Sequence, residues 1–61
     1  MRKYYMEVLK WEDGAVEEYE IDVHNDAAAI ERGQDEFEFF PQIVEYCIYN
    51  ENNELIFKAV R

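Results

Sequence analysis

The chain has 61 residues, and its 15 Asp and Glu outnumber 6 Lys and Arg, which gives a formal net charge of −9. This length corresponds to one domain, residues 1–61, near the lower size at which a chain folds alone. The acidic balance argues against direct binding to nucleic acid or to anionic membrane, since both require clustered cations. Apolar residues form 49% of the chain and aromatic residues 16%, a composition that disordered segments lack.

The first hairpin is predicted from residues 4–11 and 16–23, which are rich in aromatic and β-branched side chains. Asp13-Gly14 between them is the sequence of a type I′ turn. A two-residue turn there places Val8, Met6 and Tyr4 opposite Tyr19, Ile21 and Val23 on the core side. Lys10 then lies opposite Glu17 on the same side. The other side then pairs Trp11 with Val16, Leu9 with Glu18, Glu7 with Glu20, and Tyr5 with Asp22.

A helix is predicted next, with Asn25 as its N-cap and Asp26 in the first turn. Three consecutive alanines follow, and alanine has the highest helix propensity. An apolar stripe at helical spacing then indicates the buried side, and Pro41 ends the helix. The stripe consists of Ile30, Gly33, Phe37 and Phe40.

Two further strands are predicted at residues 42–50 and 55–60, joined by a turn-forming Asn and Glu cluster. In the third strand, alternation places Val44, Tyr46 and Ile48 on the core side. Ile43, Glu45, Cys47 and Tyr49 then lie on the other side. A two-residue turn at Glu51-Asn52 would place Lys58 opposite Glu45. A turn at Asn52-Asn53 would instead place Glu51 opposite Glu54, a less favourable pair of like charges.

The expected fold is therefore α+β, in the order ββαββ, with a four-stranded antiparallel sheet covered on one face by the helix. Alternation does not fix the order of the strands in the sheet. The predicted core consists of Tyr4, Met6, Val8, Tyr19, Ile21, Val23, Ile30, Gly33, Phe37, Val44, Tyr46 and Ile48.

Catalytic and metal-binding motifs are weak in this sequence. Asp22, His24 and Asp26 alternate near the end of the second strand, but a lone His is a poor signal for a metal site. Cys47, the single cysteine, has no nearby base to activate it and favours a reducing compartment. We expect no enzymatic activity, no metal and no cofactor. No signal peptide or membrane span is expected either, and the expected location is the cytoplasm.

The acidic residues form two regular rows. The sheet acids, Glu18, Glu20 and Asp22, follow one another at about 6.7 Å along a strand, with Glu7 beside them. The helix acids, Glu31, Asp35 and Glu38, recur at each helical turn, about 5–6 Å apart. Such intervals are similar to those between nucleic-acid phosphates, so a cationic phosphate-binding site could accept either row. Trp11 and Tyr5 lie between acids and are expected to supply apolar contact area.

In size, charge and the acidic segment from Glu12 to Glu54, the chain resembles phage-encoded inhibitors that mimic nucleic acid, of the anti-CRISPR and anti-restriction type. The resemblance implies an inhibitor in the host cytoplasm that blocks the basic DNA- or RNA-binding site of a defence complex. It also implies binding through the side away from a less acidic pole. That pole is expected at Arg2, Lys3, Lys10, Lys58 and Arg61.

An alternative is a structural or assembly protein that forms a homodimer through the aromatic and aliphatic side of the sheet. That interface would consist of Tyr5, Leu9, Trp11, Val16, Ile43, Ile56 and Val60. The two interpretations differ in a measurable way, because only the alternative requires self-association.

Overall fold

The computed structural model describes residues 1–10 and 14–61 and confirms the α+β fold in the order ββαββ. The strands are β1 (Arg2–Lys10), β2 (Val16–Val23), β3 (Ile43–Tyr49) and β4 (Leu55–Val60), and the helix is α1 (Asp26–Phe39). All neighbouring strands are antiparallel, and their order across the sheet is β2-β1-β3-β4. The first and third strands are therefore central, and β2 and β4 are the edges.

The register of the first hairpin differs from the predicted one by two residues. Tyr4 lies opposite Ile21 and Met6 opposite Tyr19, and the last pair before the loop is Leu9 with Val16. A shift of two leaves every side chain on its predicted side, because the side-chain period of a strand is two. Gly14 has a φ of 68° and donates its N–H to the carbonyl of Lys10. The connection from Lys10 to Ala15 is thus longer than a two-residue turn, and Asp13 and Trp11 lie outside the described residues.

The core lies between the sheet and the helix. Seven of the predicted core residues are buried, and one of these seven is Gly33 of the helix. Ala29 and Ile43, which were not predicted to belong to the core, are buried as well. Tyr19 was predicted to be buried but is 46% exposed, since it lies on the edge strand beyond the reach of the helix. Val23, Ile30, Phe37 and Val44 are only partly buried. The buried apolar residues are Tyr4, Met6, Val8, Ile21, Ala29, Ile43, Tyr46 and Ile48.

A bulge at the start of β3 explains why Ile43 is in the core. Leu9 lies opposite Glu45, yet Lys10 lies opposite Ile43, so Val44 has no partner on β1. An extra residue of this kind reverses the alternation beyond it. Ile43 therefore points to the same side as Tyr46, and its predicted place on the open side of the sheet was wrong.

The helix is fixed at both ends by the interactions that its sequence provides. The Asn25 side chain accepts a hydrogen bond of 2.9 Å from the N–H of Ala28, which confirms the predicted N-cap. The helix ends at Phe39, two residues before Pro41. Arg61, after the end of β4, donates to the carbonyl of Phe37 and lies 4.1 Å above its ring centre. A cation at this end of the helix complements the helix dipole.

Gly33 allows the helix to lie close to β3. A Cβ atom at this position would be 2.8 Å from Cε2 of Tyr46 and 2.9 Å from Cδ1 of Ile48. These distances are shorter than van der Waals contact, so a larger residue would separate the two elements. The glycine in the apolar stripe of the helix thus permits the close approach between the helix and β3.

The second hairpin turns through a residue with positive φ. Asn53 has a φ of 64°, and its N–H donates to the carbonyl of Asn50. The side chain of Asn50 also accepts from the N–H groups of Asn52 and Glu54. From Glu45 to Ile48 the register is the one that a turn at Asn52-Asn53 predicts, with Lys58 opposite Cys47. The favoured turn at Glu51-Asn52, which places Lys58 opposite Glu45, was wrong.

Candidate acidic interaction surfaces

The sheet acids lie on the open face of the sheet, the face that the helix does not cover. Glu18, Glu20 and Asp22 are all exposed. Their neighbours on β1 differ from the predicted ones, because the register shift places Glu18 opposite Glu7, Glu20 opposite Tyr5, and Asp22 opposite Lys3. Glu7 and Tyr5 are half-buried on the same face. Glu7 and Glu18, which lie directly opposite each other, repel each other across the two strands.

Lysines compensate part of the charge on the strands. Lys3 forms an ion pair of 2.9 Å with Glu20, and Lys58 forms one of 3.1 Å with Glu45. The hydrogen bond with Glu20 raises the pKa of Lys3, to which the negative charge of Asp22 adds. The sheet acids therefore present a weaker negative potential than their number suggests.

A third ion pair lies on the helix side of the sheet. Lys10 approaches Glu17 at 3.0 Å, and the hydroxyl of Tyr19 donates to the same carboxylate at 2.7 Å. The Tyr19 hydrogen bond, with the Lys10 interaction, lowers the pKa of Glu17. Glu17 was not among the predicted site residues, but the predicted hairpin places it opposite Lys10 on the same side of the sheet, and this contact is confirmed although the register differs.

The basic residues that were expected to form a less acidic pole do not lie together in one region. Antiparallel pairing places Arg2 and Lys3 at one end of β1 and Lys10 at the other, and Arg61 follows β4 at the end where Lys10 lies. Lys58 is central on the edge strand β4. The cations that cluster in the sequence near its ends are therefore spread over the sheet.

The helix acids lie on the outer surface of α1, opposite the side that contacts the core. Glu31, Asp35 and Glu38 are all exposed, and helical geometry places them on the side opposite Gly33. Within the described residues none of the three forms an ion pair. The helix contains five acids and one base, Arg32. Of the two rows of acids, this is the one in which no member has an ion pair within the described residues.

Two aromatic side chains at the carboxyl end of the helix adjoin the helix acids. Phe39 is 77% exposed and Phe40 39% exposed, and their ring centres are 5.0 Å apart. Phe40 was predicted to belong to the buried stripe, and Phe39 was not considered. A large apolar residue outside the stripe, Phe39, two residues before the proline, is the signal that could have indicated this patch. Trp11, the predicted apolar contact, lies outside the described residues.

A groove separates the helix from the edge strand β2. Its volume is about 340 Å³, and Tyr19 and Ile21 of β2 line one wall. Arg32 and Glu36 of the helix, with Phe40 directly after it, line the other wall. Most of the buried side chains lie on β1 and β3, whereas Tyr19 on the edge strand stays exposed beside this space. No sequence pattern predicted the groove, because it depends on where the helix crosses the sheet.

The residues considered for metal binding are directed elsewhere. Asp26 accepts a hydrogen bond of 2.6 Å from the hydroxyl of Tyr4, and this bond raises the pKa of Tyr4. Among residues 1–10 and 14–61, no three His, Cys, Asp or Glu side chains meet in a group that could hold a metal ion. Cys47 is half-buried on the open face, with a free thiol.

The single helix of the described residues is neither long nor apolar enough to cross a membrane. Comparison with known proteins gives no significant match, whether to a family model, to a curated protein or to a solved structure.

Proposed function

We propose that the protein is a non-enzymatic inhibitor that occupies the basic nucleic-acid-binding site of a partner protein, as the resemblance to nucleic-acid mimics suggests. A CRISPR or restriction complex is the expected kind of partner. The contact surface is the outer side of α1, with the helix acids Glu31, Asp35 and Glu38 at its centre. The observation that supports this choice is the absence of ion pairs at these three residues within the described chain.

Electrostatics favours the helix acids over the sheet acids. A carboxylate that already has a lysine partner must lose that partner or share it before it binds a second cation. Glu20 is in this position, because its ion pair with Lys3 is 2.9 Å long. The helix acids can bind incoming Lys or Arg side chains without such an exchange, which supports fast, salt-sensitive association.

The two phenylalanines at the end of the helix supply the apolar part of the proposed interface. Charge steers the encounter, but buried apolar and aromatic side chains usually determine how long a complex lasts. Phe39, exposed over 77% of its surface, has the larger area to bury in a partner.

The experiment is an affinity capture from cells that carry defence systems, followed by competition of the captured partner with DNA at several salt concentrations. Reversal of the three helix acids to lysine should abolish capture. The matched control reverses Glu18, Glu20 and Asp22, which changes the charge by the same amount and should reduce capture much less. Capture that survives both reversals at low salt would show that the acidic surface serves solubility alone.

Self-association through the open face is the second candidate, and the uncovered apolar surface there supports it. Val16 is 63% exposed and Val60 66% exposed on that face, and Tyr5 and Leu9 are half-buried beside them. In a face-to-face dimer, the neighbouring carboxylates of Glu7 and Glu18 would lie against the same two carboxylates of the second copy. The repulsion between these like charges weakens this candidate. Measurement of the mass in solution over a range of concentrations distinguishes the two functions.

A further inference from the structure

The edge strand β2 combines three features that are together specific for one kind of ligand. It is an open edge of the sheet, it has a row of acids on one side, and on the other it borders the groove, whose lining combines Tyr19, Ile21 and Phe40 with Arg32 and Glu36. We propose that β2 binds an extended segment of a partner protein in which basic and apolar residues alternate, and that this segment is added to the sheet as a fifth strand. This inference concerns the edge strand and not the helix acids, shares only Phe40 with the interface proposed above, and does not rest on the proposed function.

The backbone of β2 has free groups for such an addition. Lys10 donates its N–H to the carbonyl of Ala15 across the hairpin. Hydrogen-bonded and non-hydrogen-bonded pairs alternate along an antiparallel ladder. Met6 with Tyr19 is therefore a hydrogen-bonded pair, and the N–H and C=O groups of Glu18 and Glu20 point away from β1 toward the free edge. Peptides bind open sheet edges through groups of this kind.

The two sides of β2 explain why the segment should alternate in character. Successive side chains of an added strand point to opposite faces of the sheet. On the open face they would meet Glu18, Glu20 and Asp22, which are exposed. Glu18 forms no ion pair within the described chain. Lysine or arginine is the complementary side chain at these positions.

On the helix side, the alternate side chains would enter the groove. Tyr19, exposed over 46% of its surface, lies at the edge of this space, and Phe40 forms part of the opposite wall. An aliphatic side chain between these two rings would be removed from water on both sides. The part of the groove between Tyr19 and Phe40 therefore favours apolar residues, and the acids on the open face favour basic ones, in alternate positions.

The other edge of the sheet does not offer this combination. β4, Leu55–Val60, contains no acid and has one lysine, Lys58. Arg61, directly after β4, is bound to the carbonyls of Ile43 and Phe37. Pairing of β2 with β2 of a second copy would bring two acidic rows together, which opposes self-association at that edge.

The test uses a synthetic peptide of alternating Lys and Val with blocked ends. Its comparison peptide has the same composition with the lysines and valines in two separate blocks. We expect the alternating peptide to bind about tenfold more tightly, a difference within the usual range of side-chain specificity. NMR shifts should be largest at the amides of Glu18 and Glu20. Equal affinity of the two peptides would show that the binding is nonspecific charge attraction, and it would overturn the proposal.

Two variants separate the backbone contribution from the charge. Glu20→Pro removes an N–H that points to the free edge and is tolerated there by a strand, whereas Glu20→Gln removes the charge alone. We expect the proline variant to lose about tenfold more affinity than the glutamine variant. If the proline variant is unfolded by circular dichroism, a peptide with N-methylated alternate amides replaces it and should bind as weakly. An N-methylated peptide that binds normally would contradict strand addition.

A last control keeps this proposal distinct from the function of the helix acids. Reversal of Glu31, Asp35 and Glu38 to lysine should preserve the preference for the alternating peptide, although the overall attraction falls. A preference that disappears with this reversal would place the peptide on the helix and overturn the inference. Dimerisation through β2, seen as doubled mass with protected Glu18 and Glu20 amides, would assign the edge to a second copy and overturn it as well.

Discussion

The open face of the sheet and the outer surface of the helix are both acidic and both exposed, but they differ in how their charge is compensated. On the sheet, Lys3 pairs with Glu20 and Lys58 pairs with Glu45. On the helix, Glu31 and its two companions have no ion pair within the described residues. The comparison shows that a count of acids along a chain does not measure potential, because cross-strand neighbours decide which charges are compensated.

The largest expected effect of this difference is on the rate of partner association. Reversal of the three helix acids to lysine should slow association with a captured partner by about ten- to a thousandfold, the range over which steering acts. The same reversal of the sheet acids should slow it less, since Lys3 already offsets part of their field. Stopped-flow or surface-binding kinetics at low salt measures both rates. Equal losses in the two variants would remove the distinction between the surfaces.

A substitution on the inner side of the same helix should change the stability of the protein. Gly33→Ala places a Cβ atom 2.8 Å from the ring of Tyr46, and overpacking of this kind costs about 1–3 kcal/mol. The substitution gains about 1 kcal/mol of helix propensity, so the net change should remain destabilising. Urea unfolding measures it, with the exposed Gln34→Ala as the control. A Gly33→Ala protein more stable than the wild type would mean that the helix lies farther from the sheet.

Removal of the helix cap should weaken the helix surface while the sheet remains paired. Asn25→Ala leaves the N–H of Ala28 without its acceptor and should cost about 0.5–2 kcal/mol. Hydrogen exchange should accelerate in the first helical turn more than in β1. His24→Ala, one residue earlier and also exposed, is the matched control. Equal acceleration in both elements would show that the helix and sheet open together.

The smallest effect should appear in the pH dependence of stability. The hydrogen bond from Tyr19, with Lys10, lowers the pKa of Glu17. A carboxyl with a lowered folded pKa contributes stability above its unfolded pKa, about 4.3, and loses it as the pH falls through the folded value. Glu17→Gln should therefore lower the melting temperature at pH 7 and have less effect at pH 2.

The unpaired Glu31 provides the contrast, since Glu31→Gln removes repulsion and should not lower the melting temperature at pH 7. A thermal melt series from neutral to acidic pH tests both variants. If Glu31→Gln destabilises the protein as much as Glu17→Gln does, the helix acids are compensated in a way that their surroundings do not show.

The sequence by itself determined the element order, the ends of the helix and the sides of the strand residues away from the bulge in β3. Alternation predicted that Tyr4, Met6 and Val8 share the core side, and the period of two preserved this result although the register was wrong by two residues. The Asn25 cap and the stop before Pro41 depend on neighbours in the chain, so local chemistry was sufficient to predict them.

Tertiary structure decided the features that depend on distant partners. The bulge that buries Ile43 arises where β3 meets β1, and the separation of the basic residues follows from the strand order β2-β1-β3-β4. The sheet acids and helix acids were both visible as regular rows in the sequence. Which of them keeps its charge uncompensated depends on lysines on other strands, whose positions are fixed only when the strands pair. The groove beside Tyr19 likewise exists only because the helix crosses the sheet away from its edge.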